Sequence, residues 1–211
     1  MTNSDDKILI IGSCTSSKKY SPLNEATEDE LDDPILRKQK EEELNRYTVD
    51  ALDMYQGKQH TLTCEAFKLL QEQGKNVDFW IISAGYGLIK YDTKIIPYDV
   101  TFAQKSRKYV KSRGKLLNIP DDFDKLIKHY DKVILLLGKE YLLSLDFPRP
   151  IDENVEIIAM GGKETKKLLP DQKNIHFIPA GKEEGKKYGA ALIYLKGVIL
   201  KKMVEEHQFD L

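Results

Sequence analysis

Two short stretches of this chain place nucleophilic, phenolic and anion-binding side chains just past an apolar run. The first is Ser13-Cys14-Thr15-Ser16-Ser17-Lys18, which follows Ile8-Leu9-Ile10-Ile11-Gly12. Hydroxyls, a lysine and backbone N–H groups in such a loop suit an anion, with Ser13, Thr15 and Lys18 as its contacts. Cys14 is the thiol best placed to act as a nucleophile; the alternative is a small side chain packing at a strand end. The second stretch is Ser83-Ala84-Gly85-Tyr86-Gly87, continued by Pro97-Tyr98-Asp99. Gly85 and Gly87 permit a tight turn or a ligand close to the backbone. Tyr86 could stack on a planar ring or donate a phenolic hydrogen bond, or else cover the core. Asp99 is the candidate general base, able to orient water or bind a ribose hydroxyl, and it could instead cap the next helix with Thr101. Ser83 and Tyr98 would line the same pocket.

Two further loops carry candidates. Gly138-Lys139-Glu140-Tyr141 follows the apolar run Val133 to Leu137, so Gly138 and Lys139 could reach the same edge, with Glu140 as a second carboxylate. Gly181 to Lys187 looks like a phosphate loop, but Gly181 and Gly185 are one residue too close for GxxxxGK. Lys187 also stands where Ser or Thr should bind magnesium. A Walker NTPase is excluded, although Gly181 at a helix start could still hold a phosphate. His60, His129, His176 and His207 are scattered singly, so no metal site and no cofactor are assigned. Lys105, Arg107, Lys108, Lys111, Arg113 and Lys115, interleaved with Tyr109, form a basic stretch that could contact nucleic acid, or a solvated helix face.

The elements around these loops set their positions. Continuous apolar runs predict strands at Lys7 to Ser13, Asp78 to Ser83, Lys132 to Leu137, Val155 to Met160 and Ile175 to Ile178. Between them lie helical patterns from about Lys58 to Gln73 (ending at Gly74), Ala103 to Leu117 and Pro120 to His129. A long C-terminal helix is predicted from about Glu183 to Glu206, with Tyr188, Leu192, Leu195, Ile199 and Met203 at helical spacing. Alternating strands and helices predict a Rossmann-like three-layer α/β sandwich with a mainly parallel sheet of about five strands. Residues 22–50 are charged and read as a helical insertion after the first strand, within one domain spanning 1–211. In such a sheet ligands bind at the carboxyl ends of the strands, where both chemical stretches lie.

Composition narrows the classes. The 211 residues are 41% hydrophobic, enough for a sizeable core. The 33 basic and 34 acidic residues nearly cancel, which excludes a uniformly basic nucleic-acid clamp. The polar start Met1-Thr2-Asn3-Ser4-Asp5-Asp6 lacks a targeting pattern, no run is long enough to span a bilayer, and two cysteines make no disulfide framework. A cytoplasmic protein without membrane association is expected; the sequence leaves its oligomeric state open.

These loops resemble an uncharacterised family of bacterial, archaeal and phage proteins, the domain of unknown function numbered 6884. Its members carry SCxxxK, A-x-x-x-Y-x-G, SAKxGLL and PYDxTL, which correspond here to Ser13–Lys18, Ala51–Gly57, Ser83–Ile89 and Pro97–Phe102. Gly85 replaces the usual lysine of the third motif. The resemblance implies a Rossmann-like domain with its motifs on one edge, and the association of relatives with modified bases and mobile elements points to nucleosides, nucleotides or nucleic-acid bases as ligands.

The leading expectation is therefore an enzyme that hydrolyses or exchanges an N-glycosidic bond. Tyr86 would stack on the base, Asp99 would orient water or stabilise the cationic sugar, and the loop 13–18 would hold phosphate. The alternatives are a non-catalytic nucleotide-binding or sensor module, and a transferase with Cys14 as nucleophile.

Overall fold

The structure is a computed structural model and describes residues 6–208. Residues 1–5 of the polar start, which carries no targeting pattern in the sequence, lie outside the described residues. Strand β1 (Lys7–Ser13) leads into α1 (Glu28–Asp32), α2 (Pro34–Glu43), a 3-10 turn at Asn45–Tyr47, β2 (Val49–Asp50), α3 (Ala51–Met54) and α4 (Lys58–Glu72). Next come β3 (Asn76–Ser83), β4 (Gly87–Lys90), β5 (Lys94–Ile95), α5 (Arg107–Leu116) and α6 (Ile119–Ile127). The chain continues through β6 (Lys132–Leu135), α7 (Lys139–Ser144), β7 (Glu156–Gly161), α8 (Lys163–Lys166), β8 (Ile175–Pro179), α9 (Lys182–Tyr188) and α10 (Leu195–Glu205).

Six of these strands form one sheet in the order β4-β3-β1-β6-β7-β8, flanked by helices, while β2 and β5 make a separate antiparallel pair. Ile8 to Ile11 are buried because helices cover both faces, which is why the run carries no polar alternation. Ile10 is level with Phe79 on one side and Ile134 on the other, all in parallel register. From β1 the chain crosses one way to β3 and later the other way to β6. The sheet therefore reverses direction between β1 and β6, and their carboxyl ends diverge around a crevice.

The predicted mainly parallel sheet is present, with a sixth strand, β4, where the sequence pattern predicts loop. Residues 84–86 turn back sharply and Gly87, at φ +80°, sends Leu88 to Lys90 antiparallel along Ile82 to Trp80. The long C-terminal helix is two helices. Gly189, at φ +60°, ends α9 in a left-handed cap, and α10 starts only at Leu195. Helix α5 starts four residues later than predicted, capped by Ser106, whose Oγ accepts the Tyr109 N–H at 3.2 Å. Asp99 is thus not the cap of that helix, and Thr101 Oγ1 accepts the Ala103 N–H within the preceding loop.

Helices α5 and α7 approach through Gly114, where a Cβ would lie 2.3 Å from the Ser144 carbonyl oxygen. That neighbour is backbone and cannot rotate away. Gly114→Ala should destabilise the fold by about 1–3 kcal/mol, the range of overpacked cores, read as a lower urea midpoint; an unchanged midpoint would refute the contact. Among the described residues no helix is long and apolar enough to cross a membrane.

Candidate functional site

At the crevice between β1 and β6 lies a cleft of about 570 Å³. One wall is the loop after β1. Thr15 Oγ1 donates to the Ser17 carbonyl at 2.7 Å, and the Ser17 carbonyl also accepts the Gln56 N–H at 2.9 Å. These bonds stitch the loop to the start of α4. Gly57 permits the closeness, since a Cβ there would fall 2.6 Å from Thr15 Cγ2. Gly57 is also the residue before α4, and no side chain caps that helix, so its first N–H groups open on the cleft.

The opposite wall comes from the end of β6 and from α7 and α10. Gly138, Glu140, Tyr141, Tyr194 and Lys196 line it. Tyr141 Oη lies 3.1 Å from Cys14 Sγ and also donates to the Cys14 carbonyl at 3.1 Å. With its one proton used there, the phenol oxygen is left to accept the Cys14 thiol proton. Burial pushes the Tyr141 hydroxyl well above its ordinary value, so it stays protonated. Lys196 is only part-exposed, and desolvation lowers its ammonium to about 8, opposed by the charge of Glu140.

Under the cleft a chain of hydroxyls ties the motifs together. Ser83 Oγ accepts the Gly85 and Tyr86 N–H groups at 3.2 and 3.0 Å, and lies 2.8 Å from Tyr98 Oη. Tyr98 Oη is in turn 2.8 Å from Tyr55 Oη, with both rings wholly buried. Burial raises both phenols, so the network is neutral and positions backbone rather than moving protons near neutral pH. Lys18 packs its ammonium 4.7 Å from the Tyr98 ring centroid.

Of the residues singled out in the sequence, Ser13, Cys14, Thr15, Thr101, Gly138 and Glu140 meet in the cleft. Ser83, Tyr98 and Lys18 stand behind it. Tyr86 does not line it: its ring sits edge-on to Tyr98 and beneath the Arg37 guanidinium, and its hydroxyl accepts the Ile96 N–H. Gly85 is required by packing, since a Cβ would fall 2.8 Å from Leu31 Cδ1 and 2.9 Å from Tyr98 Cδ2, while Gly87 makes the hairpin. Asp99 and Lys139 are exposed and Gly181 lies apart, its N–H bound at 2.8 Å by Glu184 of its own helix. On α5, Lys111 and Lys115 pair with Asp146, and buried Arg113 pairs with Asp32 and Glu28, which leaves Lys105, Arg107 and Lys108 exposed.

Lys196 was missed in the sequence, although Leu195, Ile199, Leu200 and Met203 share one helical face with it and make it the cation on an apolar stripe. His60 is a core residue, its Nε2 2.8 Å from the Leu52 carbonyl, and burial lowers its pKa; beside it, burial pushes the Cys64 thiol up to about 12. Among the described residues no cluster of three or more His, Cys, Asp or Glu could hold a metal ion.

A cleft at the reversal point of a parallel sheet, walled by the loops after the two diverging strands, is where α/β folds of this class usually hold their ligands. The chain belongs to the family of unknown function DUF6884, which it matches over residues 38–168. That span contains the second, third and fourth motifs and leaves Ser13–Lys18 outside. No curated protein matches the sequence. Among solved structures, an azoreductase from Bacillus anthracis str. Sterne is similar, at 10% identity and a TM-score of 0.35, over 95% of this chain and 99% of that one.

Proposed function

We propose that the protein is an enzyme acting on a nucleoside or nucleotide in the cleft between β1 and β6, cleaving or exchanging the N-glycosidic bond. The observation that carries this reading is the position of Glu140, a carboxylate in the cleft wall at the sheet's reversal point, facing the loop of Cys14 and Thr15. Asp99, the carboxylate favoured from sequence, is exposed and lines no part of that cleft, so the role passes to Glu140.

Bond cleavage at the anomeric carbon builds positive charge on the sugar ring, and a carboxylate beside it stabilises that charge. The base leaves with the bonding pair of the C–N bond and takes up a proton; water, or a second base in an exchange, makes the new bond. Tyr194 and the exposed Ile193 at the rim offer a planar and an apolar surface for the base. Tyr141, held protonated, can donate a hydrogen bond to a sugar or base oxygen once it gives up the Cys14 carbonyl.

Incubation with a pool of nucleosides and nucleotides, followed by mass analysis of the small molecules, tests the reading. Released base is expected, and Glu140→Gln should lower its rate at least about 100-fold, the scale of losing a catalytic carboxylate. A ligand that binds and emerges unchanged would overturn the enzyme reading in favour of a sensor module. Undiminished turnover in Glu140→Gln would overturn the residue assignment.

A further inference from the structure

Positive groups from two helices, α4 and α10, meet in the cleft. Helix α4 opens on it with uncapped N–H groups, and Lys58 stands in that helix's first turn with its ammonium 3.9 Å from the Tyr194 ring centroid. Lys196 enters from α10. A desolvated ammonium is normally found paired. The Lys196 ammonium has no hydrogen bond and no ion pair within 4 Å among the described residues, and Glu140 of α7 acts on it only through its charge. Of the other titratable groups lining the cleft, Cys14 and Tyr141 are bonded to one another, and Lys58 lies over the Tyr194 ring.

We propose that Lys196, the uncapped start of α4 and the hydroxyls of the loop after β1 form a subsite for a phosphomonoester, which makes the substrate a phosphorylated sugar or nucleotide rather than a free nucleoside. Donors arriving from a helix start, a hydroxyl loop and an ammonium suit the three oxygens of a phosphate better than the two of a carboxylate. The dianion would also supply the partner that Lys196 lacks. Desolvation leaves that amine part-neutral at pH 8, so the phosphate binds together with a proton taken up at Lys196. The inference rests on the cleft being the ligand site proposed above, and not on which bond is broken there.

The probe is ribose 5-phosphate, titrated calorimetrically into the full chain at pH 8 in buffers of different ionisation enthalpy. Its phosphate has a second pKa near 6 and is already a dianion there, so any proton taken up belongs to the protein. About half a proton per site is expected for a group that titrates near 8, and unphosphorylated ribose should bind at least tenfold more weakly. Lys196→Met should abolish the proton uptake and weaken binding at least about tenfold, as for a lost charge-assisted hydrogen bond. Lys196→Arg, which keeps the charge at every accessible pH, should bind without proton uptake. Heats independent of buffer in the wild type, or ribose binding as well as ribose 5-phosphate, would overturn the subsite. Base released equally well from unphosphorylated nucleosides would remove the phosphate subsite and leave the enzyme reading standing. Ribose 5-phosphate bound with proton uptake, but no base released from any nucleotide, would do the reverse.

Discussion

Lys196→Met should make the protein more stable at neutral pH while weakening its ligand binding. Its ammonium titrates at about 8 in the folded chain and near its ordinary value of about 10.4 once unfolded. Between those two values the unfolded state binds the extra proton, so stability rises with pH across the window. Below about pH 8 the folded protein carries the full penalty of a charged, desolvated amine. At 1.36 kcal/mol per pKa unit this reaches about 3 kcal/mol, or roughly 6–12 °C in Tm for a chain of this size. Methionine has a similar length, fits an apolar stripe and carries no charge. Thermal melts of both proteins from pH 6 to 10.5 check the argument. The variant should melt higher at pH 7, and the gap should close as pH climbs from 8 towards 10.5. A variant that melts lower than the wild type at pH 7 would show that Lys196 stabilises the fold. A residue that costs stability in the free protein is one that a ligand has reason to keep.

The same residue marks where the sequence could be read and where it could not. Strand β1 was legible because Ile8 to Ile11 is an unbroken apolar run, and a run of that kind has one solution in an α/β protein. The crevice followed from it, since Ser13 closes one buried strand and Gly138 is the first small residue past another. Strand β4 was not legible: Leu88 and Ile89 are two apolar residues among turn formers, and pairing with Ile81 and Ile82 decides their state. Tyr98 illustrates the opposite failure. Its motif looks like a loop offering a phenol to a ligand, yet its hydroxyl is consumed by Ser83 and Tyr55 beneath the surface. Local sequence shows that a side chain can hydrogen-bond and cannot show with whom. Asp99 and Glu140 differ in the same way, because which carboxylate faces the cleft depends on the packing of α7 against α5.

The charged helices after β1 are held by a buried cation, and the two ways of breaking that contact should differ in cost. Arg113 of α5 donates from Nε to the Ala84 carbonyl at 2.7 Å and forks onto Asp32 at 2.9 and 3.1 Å, with Glu28 3.1 Å away. Its side chain is 2% exposed, whereas Asp32 and Glu28 are 29% and 38% exposed. Arg113→Met returns two carboxylates to water they already touch and leaves one carbonyl unpaired, a loss of about 1–3 kcal/mol. The double variant Glu28→Gln, Asp32→Asn keeps the side-chain shapes and strands a buried guanidinium without a counter-charge, which should cost about 3–5 kcal/mol. Urea unfolding of the two proteins orders the costs directly. If Arg113→Met were the more damaging, the guanidinium would be acting mainly as packing against the Ala84 turn. The expected order instead makes the acids of α1 the counter-charge that lets a cation sit beneath the 84–86 turn. Since that turn also fixes Ser83 and, through it, Tyr98 and Tyr55, the double variant should loosen the floor of the cleft as well, seen as faster amide exchange at Gly85 and Tyr86.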